Sequence, residues 1–161
     1  MSEKSSKYQA VPGSQSRKKT FDLTKEDTFV HWTTVTLRFS DQDSLGHVNN
    51  VAYSAFVEAA RTNLISEVLS DFNFKHINFV LVQITINFIR EMHYPGLVEV
   101  GAVLSRMGSK SFSSAFGLFN NSTCVATAES TNVFFDTVTR KAIKPPLDVR
   151  EAILIKINKG I

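Results

Sequence analysis

The sequence contains few cysteines, prolines and glycines, and it lacks long apolar runs. There is one cysteine in 161 residues, Cys124, so an intrachain disulfide is excluded and a reducing, cytoplasmic location is expected. No run of about 18 apolar residues is present to span a bilayer, so no membrane partner is expected. The N-terminus also lacks the apolar segment of a secretory signal peptide, and Glu3 disfavours a mitochondrial presequence.

Several common catalytic motifs are also missing. There is no glycine-rich phosphate loop and no Gly-x-Ser-x-Gly sequence, which argues against nucleotide-binding folds and α/β-hydrolases. His31, His76 and His93 have no mutual spacing typical of a metal site and no paired cysteine. We therefore expect neither a metal nor a bound cofactor.

The charge is concentrated at the N-terminus. Of the 18 Lys and Arg and 15 Asp and Glu, five basic residues and one acidic residue lie in the first 20 residues, which leaves 13 against 14 for the remainder. A folded part with net charge −1 does not favour nucleic-acid binding, which requires clustered cations. Residues 1–26 are interpreted as a flexible leader and residues 27–161 as a single domain.

Hydrophobic periodicity predicts one strand, a long helix and then an antiparallel meander. The helix runs from about Asn50 to Leu69, with apolar residues at three- and four-residue intervals. Alternating patterns predict a first strand through Val35, Leu37 and Phe39, and four later strands within 82–88, 98–104, 112–118 and 125–135. A short helix follows Pro145-Pro146. The predicted class is α+β, with a long helix wrapped by an antiparallel sheet of about five strands.

The loop before the long helix carries most of the chemistry. It contains Asp41, Asp43 and His47, and it ends at Asn49 and Asn50, either of which is a good helix N-cap. The first N–H groups of a helix have no intrahelical partner and carry partial positive charge. A carboxylate base beside such groups suits a reaction in which an oxyanion develops.

The motifs of this region resemble those of the hot-dog-fold acyl-CoA thioesterases, and most closely the 4-hydroxybenzoyl-CoA thioesterase-like group. They are Arg38-Phe39-Ser40-Asp41-Gln42-Asp43, Gly46-His47-Val48-Asn49-Asn50, Tyr53 and Glu58-Ala59-Ala60-Arg61. The resemblance extends from about Phe29 to Phe135. It implies hydrolysis of an acyl-CoA or acyl-carrier-protein thioester, with coenzyme A entering as part of the substrate, and a homodimer or homotetramer.

The resemblance also implies roles for individual residues. Asp43 corresponds to the catalytic carboxylate, acting as a general base or as a nucleophile. The backbone N–H of Asn50 corresponds to the oxyanion donor, Asn49 lies beside it, and Tyr53 lines the substrate pocket. His47 matches a functional histidine of the similar plant acyl-carrier-protein thioesterases. However, Leu45 stands where those enzymes carry asparagine, so their triad does not transfer and His47 can equally be a residue that fixes the loop.

Other candidates remain open at this stage. Asp41 is an alternative acid, although it can instead pair with Arg38. Glu58 matches a branch of the fold with a catalytic glutamate on the helix, or it can form an ion pair with Arg61. Cations expected near the coenzyme A phosphates are Arg90, Arg106, Lys110, Arg140, Lys141 and Lys144. The turn Gly108-Ser109-Lys110 is assigned to substrate binding through backbone contacts with the pantetheine arm.

Two other functions share the fold. A non-hydrolytic acyl-CoA-binding module would need no catalytic acid, whereas Asp43 is retained. A 3-hydroxyacyl-thioester dehydratase carries its histidine and acid in a different local pattern. The acyl group itself is not specified, because phenylalanines at helical and strand spacing are typical of an ordinary core.

Overall fold

The computed structural model describes residues 20–72 and 76–160. Two α-helices, α1 and α2, and six strands, β1 to β6, account for most of them. In chain order these are β1 (His31–Thr36), α1 (Asn50–Val68), β2 (Ile77–Phe88), β3 (Leu97–Met107), β4 (Ser111–Asn120), β5 (Thr123–Asp136), β6 (Lys141–Ala142) and α2 (Leu147–Lys159). Short 3₁₀ helices occur at Glu26–Thr28 and Phe39–Asp41.

The strands form one antiparallel sheet in the order β1-β3-β4-β5-β2, and the short β6 pairs with β5. Helix α1 packs on this sheet through its buried residues Ala52, Tyr53, Phe56, Val57, Ala60, Leu64 and Val68. The predicted α+β architecture, a long helix held by an antiparallel sheet, is confirmed. It is the hot-dog fold.

Helix α1 begins where the sequence predicted. The side chain of Asn49 is the N-cap and accepts a hydrogen bond of 2.9 Å from the N–H of Val51. The helix ends at Val68, one residue before the predicted Leu69. Because the cap is Asn49, Asn50 is the first helical residue, which places its backbone N–H at the positive end of the helix.

The prediction that the first strand runs through Phe39 is wrong. Strand β1 ends at Thr36, and Phe39–Asp41 is a 3₁₀ helix in which the Asp41 N–H donates to the carbonyl of Arg38. The carboxylate of Asp41 also accepts from the backbone N–H and the guanidinium of Arg38. These local bonds turn the chain away from the sheet, so Phe39 is exposed despite its place in an alternating pattern.

A second, smaller hydrophobic cluster lies apart from the main core around α1. Its buried members are Phe29, Val103, Ala115 and Phe119. Phe21 and Leu23 pack against this cluster, so the structured domain begins before the predicted boundary at residue 27. The rest of the predicted leader, residues 1–19, lies outside the described residues. Within the described ranges, neither helix has the length and apolar character needed to cross a membrane.

Candidate active site

A tight loop precedes α1 and carries Asp43 and His47. The N–H of Asp43 donates to the carbonyl of His47 at 2.8 Å, and Gln42 and Val48 form an isolated antiparallel bridge. Gly46 closes the loop with a φ of +81°, a conformation that side-chain-bearing residues rarely adopt. The loop therefore has a defined shape that is set by its own backbone.

The two oxygens of the Asp43 carboxylate have different environments. Oδ1 accepts hydrogen bonds from the backbone N–H groups of Leu45, at 2.8 Å, and His47, at 3.1 Å. Oδ2 has no hydrogen-bond partner within the part of the chain that the structure describes. The side chain is thus anchored through one oxygen, and the other oxygen is available to a ligand.

Asp43 lines a cavity of about 390 Å³ at the start of α1. The other lining residues are His47, Val48, Asn50, Tyr53, Phe88, Ile89, Arg90 and Glu91. Tyr53 is buried and packs edge-to-face on Phe88, with ring centroids 5.1 Å apart. Burial raises the pKa of Tyr53, so its phenol stays neutral and the ring acts as a wall of the cavity.

The start of α1 contributes a free donor to the same cavity. The Asn49 side chain caps Val51, and the Asn49 N–H donates to the carbonyl of Asp41 at 2.7 Å. The N–H of Asn50 has no partner among residues 20–72 and 76–160. An unpaired N–H at a helix N-terminus is a favourable position for an anionic oxygen.

Asp41 is held as a structural residue. Its side chain is 3% exposed, and its Oδ1 lies 2.7 Å from Nη2 of Arg38. The hydrogen bond from the Arg38 side chain is the main cause of the lowered pKa of Asp41. A carboxylate that is already paired in this way has little capacity to take a proton, so the geometry favours Asp43 over Asp41 as the reactive acid.

His47 is brought next to a second histidine by the fold. Its Nε2 lies 3.3 Å from Oε2 of Glu91, and Nε2 of His93 lies 3.4 Å from Oε1 of the same carboxylate. The centroids of the two imidazole rings are 5.1 Å apart, with an interplanar angle of 66°. Sequence spacing gave no sign of this cluster, because His47 precedes α1 whereas His93 follows β2.

Three predicted substrate-binding elements do not line this cavity: Asn49, whose side chain caps α1, Glu58, and the turn Gly108-Ser109-Lys110. Glu58 is exposed on α1 and pairs with Arg61 at 3.6 Å, which matches the ion-pair interpretation. In the turn Gly108-Ser109-Lys110, the Lys110 ammonium donates to the carbonyl of Ala142. Contact of Glu58 or of the turn with substrate remains a prediction.

The sequence did not identify most of the residues that form the cavity wall at the end of β2 and just after it. Phe88, Ile89 and Glu91 were not singled out, and Arg90 was one of six candidate cations. The N–H groups of Ile89 and Arg90 both donate to the carbonyl of Val125, at 2.9 and 3.0 Å, which fixes this segment beside β5. The pairing of β2 with β5 and the hydrogen bond from the Val48 N–H to the carbonyl of Met92, at 2.7 Å, bring it to the Asp43 loop, and the local sequence carries no signal for these contacts.

Known structures of similar shape include several thioesterases. A predicted thioesterase from Bacillus stearothermophilus is 25% identical, with a TM-score of 0.69, over 78% of this chain and 95% of that one. The DHNA-CoA thioesterase of Staphylococcus aureus is 20% identical, with a TM-score of 0.70, over 81% and 94%. The 1,4-dihydroxy-2-naphthoyl-CoA thioesterase of Synechocystis is 16% identical, with a TM-score of 0.66, over 77% and 95%. A comparison with curated protein sequences gives no significant match.

The family profile described as the thioesterase-like superfamily matches residues 37–153, which span the Asp43 loop, α1, the first part of α2 and the sheet except β1. The matched range thus contains every residue that lines the cavity around Asp43. On this match and the shared fold, the chain belongs to the thioesterase-like superfamily and is a hot-dog-fold thioesterase.

Proposed function

We propose that this protein hydrolyses acyl-CoA thioesters, with Asp43 as the catalytic carboxylate. The observation that carries the proposal is the asymmetry of Asp43: Oδ1 is anchored by two backbone N–H groups, while Oδ2 is unpartnered among the described residues. A base or nucleophile needs this combination of fixed position and free oxygen.

In the general-base form of the reaction, Asp43 takes a proton from water as the water oxygen attacks the thioester carbon. The carbonyl oxygen becomes an oxyanion, which the Asn50 N–H and the N-terminal end of α1 stabilise. The C–S bond then breaks, and the coenzyme A thiolate leaves and is protonated. In the nucleophilic form, Asp43 attacks first and water hydrolyses the resulting mixed anhydride.

Arg90 is a candidate for holding the phosphates of coenzyme A. It lines the Asp43 cavity and also a neighbouring cavity of about 450 Å³, which is shared with Thr24, Ile89, Ser122, Thr123 and Cys124. A guanidinium between two adjoining cavities can pair with a phosphate in one while the acyl group occupies the other. A coenzyme A thioester suits this arrangement because its negatively charged phosphates are far from its thioester carbon.

We also propose that the active form is a homo-oligomer built on the free edge of β2. Strand β2 pairs with β5 on one side only, and its exposed residues include Val80, Leu81 and Val82. An unpaired apolar edge of this kind is a template for another strand. Phe88 ends this strand and Ile89 follows it; both are exposed and line the cavity, so a partner on this edge would complete the site wall.

The proposal is tested by thiol release from short, medium, long and aromatic acyl-CoAs. Asp43→Asn should lower kcat by at least about 100-fold with an unchanged circular dichroism spectrum. Glu58→Gln tests the rival carboxylate, and Asp27→Asn is the matched control for loss of an exposed acid. Full activity in Asp43→Asn would refute the assignment, and binding of acyl-CoA without turnover by the wild type would identify a non-hydrolytic module.

A single-turnover reaction in ¹⁸O-labelled water tests for the nucleophilic form of the mechanism. The general-base form puts the label into the released acid and none into the protein. In the nucleophilic form, attack of water on the Asp43 carbon of the anhydride puts the label into the Asp43 carboxylate and an unlabelled Asp43 oxygen into the released acid, whereas attack on the acyl carbon labels the acid as the general-base form does. Label in the Asp43 peptide, measured by mass spectrometry, therefore identifies the nucleophilic form.

A further inference from the structure

His47, Glu91 and His93 form a compact group of potential metal ligands at the edge of the Asp43 cavity. One ligand atom from each residue lies within 4.8 Å of the other two. The side chains are 38%, 65% and 54% exposed, so an ion can reach them from solvent. His47 and Glu91 also line the cavity, which connects this group to the site already described.

The hydrogen bonds of His93 determine which of its ring nitrogens is free. Nδ1 lies 3.0 Å from the carbonyl oxygen of Gly46, and a carbonyl only accepts, so Nδ1 carries the proton. In the neutral ring, Nε2 then presents a lone pair to Oε1 of Glu91 at 3.4 Å. Two acceptors at this distance repel unless a cation lies between them, and that cation is either a second ring proton or a metal ion.

The ligand chemistry fits a divalent transition metal. Two imidazole nitrogens and one carboxylate oxygen are a common three-residue set for zinc, and water takes the fourth position. Nε2 of His47 lies 3.3 Å from Oε2 of Glu91 and Nε2 of His93 lies 3.4 Å from Oε1, so the two imidazoles approach different oxygens of one carboxylate, and the three ligand atoms lie within 4.8 Å of one another. Calcium and magnesium prefer sites made of oxygen ligands.

The bond from His93 to Gly46 supports the same conclusion. Metal-binding histidines usually donate their other ring N–H to a carbonyl or carboxylate, which fixes the tautomer and the ring orientation. Here the acceptor is part of the Asp43 loop itself and directly follows Leu45, whose N–H holds Oδ1 of Asp43 at 2.8 Å as an anchor. A metal on His93 would therefore be coupled through Gly46 to the catalytic loop.

We propose that His47, Glu91 and His93 bind Zn²⁺, and that the bound ion inhibits the thioesterase. The inhibition rests on the proposed role of Asp43. A divalent ion at this edge fills part of the substrate cavity and occupies Nε2 of His47. The metal site itself rests only on the three side chains and their geometry.

The site is tested first by binding, with no reference to catalysis. Isothermal titration of metal-free, untagged protein with ZnCl₂ should show one ion per chain, and Co²⁺ should give visible absorption bands of a tetrahedral site. His93→Gln and Glu91→Gln should each weaken binding at least about 10-fold. His76→Gln, an exposed histidine outside the cluster, is the matched control and should bind as the wild type does. Equal affinity in wild type and His93→Gln, or no binding at all, would refute the site.

The inhibition is tested separately, through the disappearance of the thioester absorbance, because the released thiol competes for zinc. Zn²⁺ should reduce wild-type turnover, and EDTA should restore it. When the rate of each protein is normalised to its own metal-free rate, the Zn²⁺ concentration that halves the rate should be at least about 10-fold higher for His93→Gln than for the wild type. Binding without inhibition would keep the metal site and refute its regulatory role. Absence of thioesterase activity would refute the proposed function and leave the calorimetric result standing.

Discussion

Asp43 and His47 are joined by two hydrogen bonds, one between their backbones and one from the backbone of His47 to the carboxylate of Asp43. The N–H of Asp43 donates to the carbonyl of His47 at 2.8 Å, and the N–H of His47 donates to Oδ1 of Asp43 at 3.1 Å. The orientation of the carboxylate and the position of the imidazole are thus set by one small ring of hydrogen bonds. A change in the backbone of this loop is expected to alter both groups together.

The first prediction concerns Gly46, which has a φ of +81° within that ring. A Cβ at this position would meet no atom within 4 Å, so Gly46→Ala introduces backbone strain without a clash. The expected cost in stability is about 1–2 kcal/mol if the loop keeps its shape. If the loop relaxes instead, kcat/KM should fall at least about 10-fold because Asp43 moves. Thermal unfolding and thiol release measure the two effects.

Gly96→Ala is the control for Gly46→Ala. Gly96 lies outside the positive-φ region, and a Cβ there would make contacts of 3.5 Å or more. Neither stability nor activity is expected to change appreciably. An equally large loss of activity in both variants would mean that the conformation of Gly46 has no special role.

The second prediction concerns the ion pair of the exposed Arg38 with the buried Asp41. Arg38→Met leaves the carboxylate of Asp41 buried without its guanidinium, which should lower the free energy of unfolding at pH 7. The pKa of Asp41 is lowered in the folded state, chiefly by the hydrogen bond from Arg38. Asp41 therefore contributes to the free energy of unfolding at pH values above its pKa in the unfolded state, and this contribution is lost as the pH falls through its pKa in the folded state.

The pH dependence provides the check on this assignment. Urea unfolding of wild type and Arg38→Met should differ most near pH 7, and the difference should shrink below about pH 4, where unfolded aspartates become protonated. A difference that is the same at pH 7 and pH 3 would indicate lost packing of the Arg38 stem and not the loss of a charge interaction. Lys25→Met, which removes an exposed partner of Asp22, should have little effect at either pH.

The sequence predicted the fold well where one physical signal dominates. The apolar spacing and the Asn49 cap specify α1 to within a residue, and the Asp43 loop is recognisable because its residues are contiguous. Phe39 was misplaced because the local bonds between Arg38 and Asp41 override an alternating pattern. Glu91 and His93 could not be assigned, since their neighbours come from long-range strand pairing, which periodicity does not encode.

The third prediction concerns the packing of Phe29 on the outer cluster. Gly101 and Gly117 are opposite each other on β3 and β4, and a Cβ at Gly101 would come within 2.4 Å of the Phe29 ring. Phe29→Ala should cost about 3–5 kcal/mol through the cavity that it leaves. Gly101→Ala should also destabilise, but less in a Phe29→Ala background, because the ring contacts at 2.4 and 2.6 Å are then absent and only the contact with the Cβ of residue 29, at 2.7 Å, remains. Urea unfolding of the four proteins gives the coupling energy, and simple additivity would contradict this account.

The fourth prediction concerns the free edge of β2. Val82 is 58% exposed and lies at an irregularity between Leu81 and Gln83. Val82→Lys places a charge on this edge and should shift the protein from oligomer to monomer, since lysine on an edge strand opposes pairing. Light scattering coupled to gel filtration measures the mass. Val138→Lys, at a position 68% exposed in the β5–β6 turn, is the matched control and should not change the mass.

The fifth prediction separates the two interpretations of His47. If the imidazole relays a proton to the leaving thiolate, His47→Gln should lower kcat about 100-fold with little change in KM, because glutamine cannot carry the proton. If His47 only fixes the loop, its backbone bonds to Asp43 persist in the variant and kcat should change less than about 3-fold, since a side-chain substitution leaves both main-chain bonds in place. The measurement must be made with EDTA, because His47 is also a proposed zinc ligand and trace metal would otherwise lower the wild-type rate alone. A fall in kcat that is accompanied by a lower unfolding temperature would show that the side chain stabilises the loop and does not transfer a proton.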